Sequence, residues 1–376
     1  MSGNATQALL GGLTPATFLR RHWQKRPLLA RRAIADFQTP LSFSKLFLLA
    51  GRDDVESRIV LREQARWSVL QGPFRKSDFA RLPRRAWTLL VHGVNLHVSQ
   101  AEDLLCRFAF IPYARLDDVM VSYAVPGGGV GPHFDSYDVF LLQGAGRRRW
   151  RLGRQRDLAL RPDMPLKILA RFRPTSELML SPGDLLYLPP EFAHDGIAVD
   201  ECSTYSIGFR APSAQELGTA FLDWTRDRLS LEGRYADPGL AATSEPARIG
   251  RSMHAQCAAM IRSIRWRPEL VERFVGCYLT EPKPHVFFDR PRRPLPLQRF
   301  GLVARRRGVR LDPRTLILYD ERHVYVNGAA LDWPATRVEA LKRLANSRRL
   351  VGADVSGVSW VRLLYRWYCD GYLDFD

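Results

Sequence analysis

Cysteine is sparse and unpaired in this sequence: five residues, at positions 106, 202, 257, 277 and 369, with no CxxC pair among them. That pattern excludes a zinc ribbon and offers no disulfide framework, so a reducing compartment is expected. No run of 18 apolar residues occurs, and the first residues lack a basic stretch leading into an apolar one. The expectation is therefore a cytoplasmic protein with no membrane partner. Lysine is scarce too, since nearly every basic residue is Arg. Internal repeats and low-complexity tracts are missing. Neither a GxxxxGK[ST] loop nor a GxSxG elbow is present, so phosphate cradling of the P-loop kind and serine-elbow hydrolysis have no local signature.

What the chain does have is 46% apolar and 25% charged residues over 376 positions, the balance of a soluble protein of two or three domains and not of a disordered or fibrous one. Its net charge of +17 is unevenly spread. Residues 1–100 hold 16 basic and 6 acidic side chains, net +10; residues 101–210 hold 13 and 14, net −1; residues 211–376 hold 27 and 19, net +8. A near-neutral centre between basic flanks fits flanks that meet a polyanion while the centre has another task. General solubility charge in an Arg-rich proteome would give the same numbers.

Helical patterns at 14–23 and 42–49 precede strand patterns at 58–61 and 65–70. The centre then changes character. Short β-rich runs at 119–125, 138–143, 147–152, 177–180, 184–188 and 203–210 are divided by PGGG, GAG and SPGD turns. Many short strands at this spacing predict a sandwich or barrel. Beyond Pro212 the periodicity turns helical, at 214–229, 247–264 and 268–279, and a Pro- and Arg-rich linker follows. The last segment offers strands at 315–319 and 323–326 around a DERH turn and helices at 335–345 and 360–370, the outline of a winged helix. The predicted division is a catalytic segment 1–212, a helical segment 213–282, a linker 283–299 and a winged-helix-like segment 300–376.

The chemistry centres on P-G-G-G-V-G-P-H-F-D, which ends at His133 and Asp135. His-x-Asp on a strand puts both side chains on one face. Alone this pair is weak, because satisfied core histidines are commoner. A third donor, His194, stands in L-P-P-E-F-A-H-D-G after a strand and a Pro-Pro turn. Two imidazoles and one carboxylate make the facial triad of non-haem Fe(II) oxygenases, which leaves positions open for a chelating cosubstrate and O2. In G-R-R-R-W-R-L, alternation sets Arg148, Trp150 and Leu152 on one face and Arg147, Arg149 and Arg151 on the other. Arg148 is then the charge that points inward, and a lone Arg on an apolar face needs an anion such as the distal carboxylate of 2-oxoglutarate. A solvated edge strand is the plain alternative. His92 and His97 lack a third ligand at any recognisable spacing and read as core or surface residues.

The stretch V-S-Y-A-V-P-G-G-G-V-G-P-H-F-D-S-Y-D-V-F-L-L-Q-G-A-G-R-R-R-W-R-L, with L-P-P-E-F-A-H-D-G-I-A and Y-S-I-G-F-R-A-P, resembles the JmjC-type ribosomal oxygenases of bacteria. The resemblance implies an α+β fold: a double-stranded β-helix core of the JmjC or cupin jelly-roll kind, a helical dimerisation segment and a C-terminal winged helix. It implies an Fe(II)- and 2-oxoglutarate-dependent hydroxylase that uses O2 on the β-carbon of an arginine in a large-subunit ribosomal protein, the sixteenth in the bacterial nomenclature. Carried over by position, His133, Asp135 and His194 bind iron, and Arg148 and Ser122 bind 2-oxoglutarate. Thr204 stands where relatives often have Asn, so the minor cosubstrate contacts at Thr204 and Ser206 are open.

Alternation in 118–123 sets Asp118, Met120 and Ser122 on one face. If Ser122 faces the cosubstrate, Asp118 lines the same cavity nearer its mouth and can take a substrate guanidinium, with Met120 and Tyr137 as walls. An exposed strand-end acid beside Asp117 is the plain alternative. Leu217, Ala220, Phe221 and Trp224 follow helical spacing and predict one buried helix face, which the resemblance makes a homodimer contact; packing on the chain's own β-core is the plain alternative. Two further alternatives stay open. One is a hydroxylase of a histidine in another ribosomal protein or a methyl-lysine demethylase. The other is a nucleic-acid-binding regulator that reads its target with Arg337, Lys342, Arg343, Arg348 and Arg349. Ribosomal RNA proximity is a further expectation.

Overall fold

The alternating runs of the centre pair into two facing sheets, as the computed structural model, which describes residues 3–64, 66–334 and 336–376, makes plain. In chain order the strands are β1 (Leu28–Ala30), β2 (Ser57–Glu63), β3 (Arg66–Gln71), β4 (Trp87–Val91), β5 (Leu116–Ala124), β6 (Val139–Gln143), β7 (Arg148–Gly153), β8 (Ser176–Leu180), β9 (Leu185–Leu188), β10 (Ala193–Ala198) and β11 (Cys202–Phe209). The larger sheet runs β1-β9-β6-β11-β5-β4-β2-β3, and the smaller runs β10-β7-β8. Every pairing in both is antiparallel. The expected double-stranded β-helix is present. Residues Ala65 and Ala335, the first of two predicted elements, lie outside the described residues.

Helices predicted at 14–23 and 42–49 form as Pro15–Arg21 and Phe43–Leu49, with Thr14 and Ser42 capping their free N–H groups. They bury apolar faces against the back of the larger sheet, where Phe18, Tyr187, Phe140 and Phe209 share one core. Phe18 meets Tyr187 edge-on at 5.0 Å between centroids, and Phe108 lies 4.8 Å from Phe140. Asp138 is fully buried there, yet satisfied: it accepts from the Tyr187 hydroxyl at 2.6 Å and from Gln24 Nε2 at 3.1 Å. Strand β10 was not foreseen. The Gly and His in its short sequence carry no alternation signal, and it exists because β7 supplies its hydrogen bonds over six paired residues.

The chain divides into two compact units, residues 1–211 with 282–315 and 339–376, and residues 212–281 with 316–338. Within the first, the helices Leu297–Arg307 and Val358–Cys369 pack with a small sheet of β12 (Val309–Leu311), β16 (Arg349–Leu350) and β17 (Leu373–Phe375). The helix from Leu297 starts inside the segment predicted as linker, because Pro296 ends the extended run and sits at its N-cap. In the second unit, the helices Ala214–Arg226, Arg251–Arg262 and Pro268–Thr280 accompany a meander of β13 (Ile317–Tyr319), β14 (His323–Val326) and β15 (Ala329–Asp332). Gly276 admits the Tyr325 ring, which a Cβ at that position would meet at 2.3 Å. The predicted stripe on Ala214–Arg226 is half-buried within its own chain. Phe221 lies 5.1 Å from Phe274 and 5.0 Å from Trp266, and Trp224 5.8 Å from Phe274. Phe221 and Trp224 thus spend part of their surface on intrachain aromatic packing, and all four residues of the stripe keep a part exposed.

Candidate active site

Two backbones place the three donors. His133 and Asp135 follow the glycine turn after β5, and His194 is the second residue of β10. The His133 N–H donates to the His194 carbonyl at 2.9 Å, and the His194 N–H donates back at 2.8 Å. One ligand atom from each of His133, Asp135 and His194 falls within 4.8 Å of the others. The Nδ1 atoms of His133 and His194 lie 2.8 Å from the carbonyls of Gly131 and Phe192. A carbonyl only accepts, so each Nδ1 carries the proton and each Nε2 keeps its lone pair. Nε2 of His194 is 3.7 Å from Asp135 Oδ2. Burial, helped by the neighbouring His133, pushes His194 down to about 4, so its imidazole is neutral at neutral pH. Two imidazole nitrogens and a carboxylate, with no thiolate, suit a redox-active divalent ion with open positions better than a closed zinc site.

The PGGG turn does more than bend the chain. A Cβ on Gly128 would sit 2.2 Å from the Trp87 carbonyl, and one on Gly129 would sit 2.6 Å from that of Gly196. The ligand segment is thus pressed between β4 and β10, with no room for a side chain.

The donors open onto a cavity of about 670 Å³, and Ser122, Asp118, Met120, Tyr137, Arg148, Thr204 and Ser206 line it with them. Arg148 is 5% exposed on the inward face of β7, as alternation predicted. Among the described residues its guanidinium has one hydrogen bond, from Nη2 to Cys202 Sγ at 3.6 Å, and its Nε has no partner. A buried, unneutralised guanidinium is costly unless an anion joins it, which is what a cosubstrate carboxylate would do. Ser122 lies opposite Thr204 and donates to its carbonyl at 3.4 Å. The Thr204 hydroxyl donates to Gln143 Oε1 at 3.2 Å, so it is held by the sheet.

Asp118 is 8% exposed and is no loose strand-end acid. Its Oδ2 accepts the Gly93 N–H at 2.9 Å and lies 3.8 Å from His92 Nδ1. Burial raises its carboxyl above the usual range, and the same burial lowers His92. Tyr137 stands at the rim, 41% exposed. Glu56, Arg58 and Lys283 also reach the cavity with no signal in the sequence, and so does His92, which reads there as a core or surface residue. His92 is no ligand, but it is not a plain core residue either; Lys283 Nζ comes 3.1 Å from Asp117 Oδ1 across a sequence gap that no local pattern signals.

Four of the five basic residues assigned to a recognition helix make internal contacts. Arg348 pairs with Glu102 at 2.6 Å and donates to the carbonyls of Thr315 and Asp312. Arg343 pairs with Asp354 at 2.6 Å, and Lys342 with Glu339 at 3.0 Å. Arg349 reaches Asp376 at 3.6 Å. A DNA-reading helix needs such side chains free for base edges and phosphates, so the regulator reading loses its support.

A JmjC domain matches residues 103–217, and a ROXA-like winged helix matches residues 263–374. The chain is 34% identical over 373 residues to the Ribosomal protein uL16 3-hydroxylase of Escherichia coli (strain K12), covering 96% of this chain and 97% of that one. It is similar to the X-ray structure of E. coli ycfD, with a TM-score of 0.83, 33% identity, and 97% and 98% of the two chains covered. The structure of YcfD, a ribosomal oxygenase from Escherichia coli, in complex with cobalt and 2-oxoglutarate matches with a TM-score of 0.82, at the same identity and coverage.

Proposed function

The chain belongs to the JmjC-domain ribosomal oxygenases, and from that membership we propose that it hydroxylates the β-carbon of an arginine in a large-subunit ribosomal protein, with Fe(II), 2-oxoglutarate and O2. One observation carries the reading: a two-His, one-Asp donor set and a buried, unpaired Arg148 line one cavity.

Iron with 2-oxoglutarate and O2 supplies the oxidising power that turns C–H into C–OH, the cosubstrate leaving as succinate and CO2. His133 and His194 would offer Nε2 to the ion, since Nδ1 of each is turned to the carbonyl of Gly131 or Phe192. Asp135 would add a carboxylate oxygen, and three protein donors would leave positions free for cosubstrate and O2. Arg148 would receive the distal carboxylate of 2-oxoglutarate as a charge-assisted pair, and Ser122 would donate a second bond by turning its one O–H from the Thr204 carbonyl. Trp150, Val139 and Leu141 line the same cavity and keep water from the reacting atoms. Asp118 orients the substrate guanidinium, while Met120 and Tyr137 flank its alkyl stem.

The working assembly is a homodimer in the cytoplasm, close to ribosomal RNA. Support for the dimer is the helix Arg251–Arg262, which buries none of its residues and leaves Met253, Met260 and Ile261 exposed. No helix among the described residues is long and apolar enough to cross a membrane. Light scattering at micromolar concentration should give twice the chain mass; a monomer mass overturns the dimer. The activity is tested by intact-mass spectrometry of large-subunit ribosomal proteins from cells with and without this protein. A gain of one oxygen on an arginine is expected, and its absence from every protein refutes the reading.

A further inference from the structure

The connection between β7 and β8, residues 154–175, touches the active-site cavity only at its tip, through Pro165, Leu166 and Lys167. It holds six basic residues and two acids. It is nonetheless a well-built loop. The Ala170 N–H donates to Ala159 O and the Arg161 N–H to Ile168 O, both at 2.8 Å. Gln155 ties its two limbs: Nε2 donates to the carbonyls of Asp157 and Arg171 at 2.5 and 2.8 Å, and Oε1 accepts the Arg173 N–H at 2.8 Å. Ile168 and Leu169 are buried, and the Leu169 N–H donates to the Pro132 carbonyl at 2.8 Å, one residue from the donor His133. The loop is therefore fastened beside the metal donors.

Its outer side encloses a cleft of about 300 Å³ lined by Arg154, Arg156, Arg171 and Arg173. Among the described residues Asp157 is the only acid in that wall, and it lies 3.1 Å from Arg171. Three guanidinium groups are left without a carboxylate in the cleft, and the tied backbone fixes where their side chains start around it. Planar guanidinium forks match phosphate oxygens in pairs, and a cluster of them raises the local concentration of a polyanion. A ribosomal protein substrate is itself basic and would be repelled here, so substrate docking does not account for the cleft.

We infer that this cleft binds the phosphate backbone of an RNA strand that accompanies the substrate to the mouth of the cavity. The choice of RNA among polyanions rests on the ribosomal reading above; the binding itself needs neither iron nor 2-oxoglutarate.

Fluorescence anisotropy of a labelled RNA oligonucleotide with the full chain, free of metal and cosubstrate, tests this. The variant R154Q/R156Q/R173Q keeps Gln155 and the Arg171–Asp157 pair. It should bind RNA about tenfold or more weakly, with the slope of log K against log salt reduced by about 2. Its uncoupled 2-oxoglutarate turnover should match wild type. R20Q/R21Q/R26Q removes the same charge elsewhere and should weaken binding less than about threefold. Should the triple cleft variant fold poorly, Arg156→Glu alone reverses one exposed charge and should still weaken RNA binding. Wild-type RNA affinity in the cleft variants overturns the inference, as does an equal loss in both triple variants. Displacement of the RNA by polyglutamate of matched charge also overturns it. RNA bound through the cleft by a protein that hydroxylates no ribosomal protein would support the inference while refuting the function proposed above.

Discussion

His133 and His194 face each other as an antiparallel backbone pair, each donating its N–H to the other's carbonyl. Two donors from distant parts of the chain are thus set by the sheet itself, and their rings stand 4.2 Å apart between centroids. Asp135 follows two residues on; the expected strand under His-x-Asp is reduced to the single bridge at His133. Because the spacing belongs to the backbone, a metal ion finds the donors with little reordering of side chains. Removing one side chain should leave the frame intact and change only the chemistry.

Asp135→Ala and His194→Ala should therefore fold with melting curves close to that of the wild type, measured without metal. Metal affinity should fall by about tenfold to a hundredfold or more, since loss even of a supporting group costs that much. Succinate release should fall to background. Calorimetric titration with a divalent ion and a succinate assay check both; full turnover by either variant would refute the donor assignment.

Arg148 separates charge from geometry. Arg148→Ala should raise the 2-oxoglutarate KM by at least about tenfold, as expected for a buried charged pair worth about 2–5 kcal/mol. Arg148→Lys keeps the charge but loses the fork, so its KM should lie between the two. A KM for Arg148→Lys equal to that of the wild type would mean that the cosubstrate carboxylate is held elsewhere.

Gly196 on β10 has no space for a side chain. A Cβ there would meet the Trp150 ring at 2.7 to 2.9 Å, and that ring lies 5.8 Å from His194. Gly196→Ala should destabilise the fold by about 1–3 kcal/mol, the usual cost of overpacking. Pairing it with Trp150→Leu should recover part of the loss, because the obstacle is removed. Urea melts of the single and double variants test this; an unaltered midpoint for Gly196→Ala would refute the close contact.

Much of this site was legible before any coordinates. Alternation along 147–152 assigned Arg148 to the inside, and the burial of Arg148, Trp150 and Leu152 follows that pattern. The His-x-Asp spacing survives folding because it is local. Contacts made only by tertiary closure left no trace in the sequence. Lys283 reaches Asp117 from beyond the helical segment, and His92 gains its place from the turn at Gly93 that also binds Asp118. Strand β10 was overlooked because its residues favour no strand by themselves; its partner β7 decides. The recognition-helix reading failed for a related reason. A count of Arg side chains does not reveal that Arg348 lies one residue past the helix Val338–Ser347 and is turned inward onto Glu102.

Asp118 carries the last prediction. Its carboxylate serves two ends: it accepts the Gly93 N–H, and it faces the cavity through which a substrate guanidinium would enter. Asp118→Asn keeps an oxygen for Gly93 and removes the charge, so the fold should be preserved. Peptide hydroxylation should then fall far more than uncoupled 2-oxoglutarate turnover, with the loss in peptide kcat/KM on the order of 2–5 kcal/mol if the pair is desolvated. The pH dependence has a definite sign. Burial raises the Asp118 carboxyl, so in the free enzyme the charged form that attracts guanidinium gains as pH rises through that elevated value. Peptide kcat/KM for the wild type should climb across that range, and for Asp118→Asn the climb should be lost. Equal peptide kinetics in the two proteins at every pH would mean that another group holds the arginine.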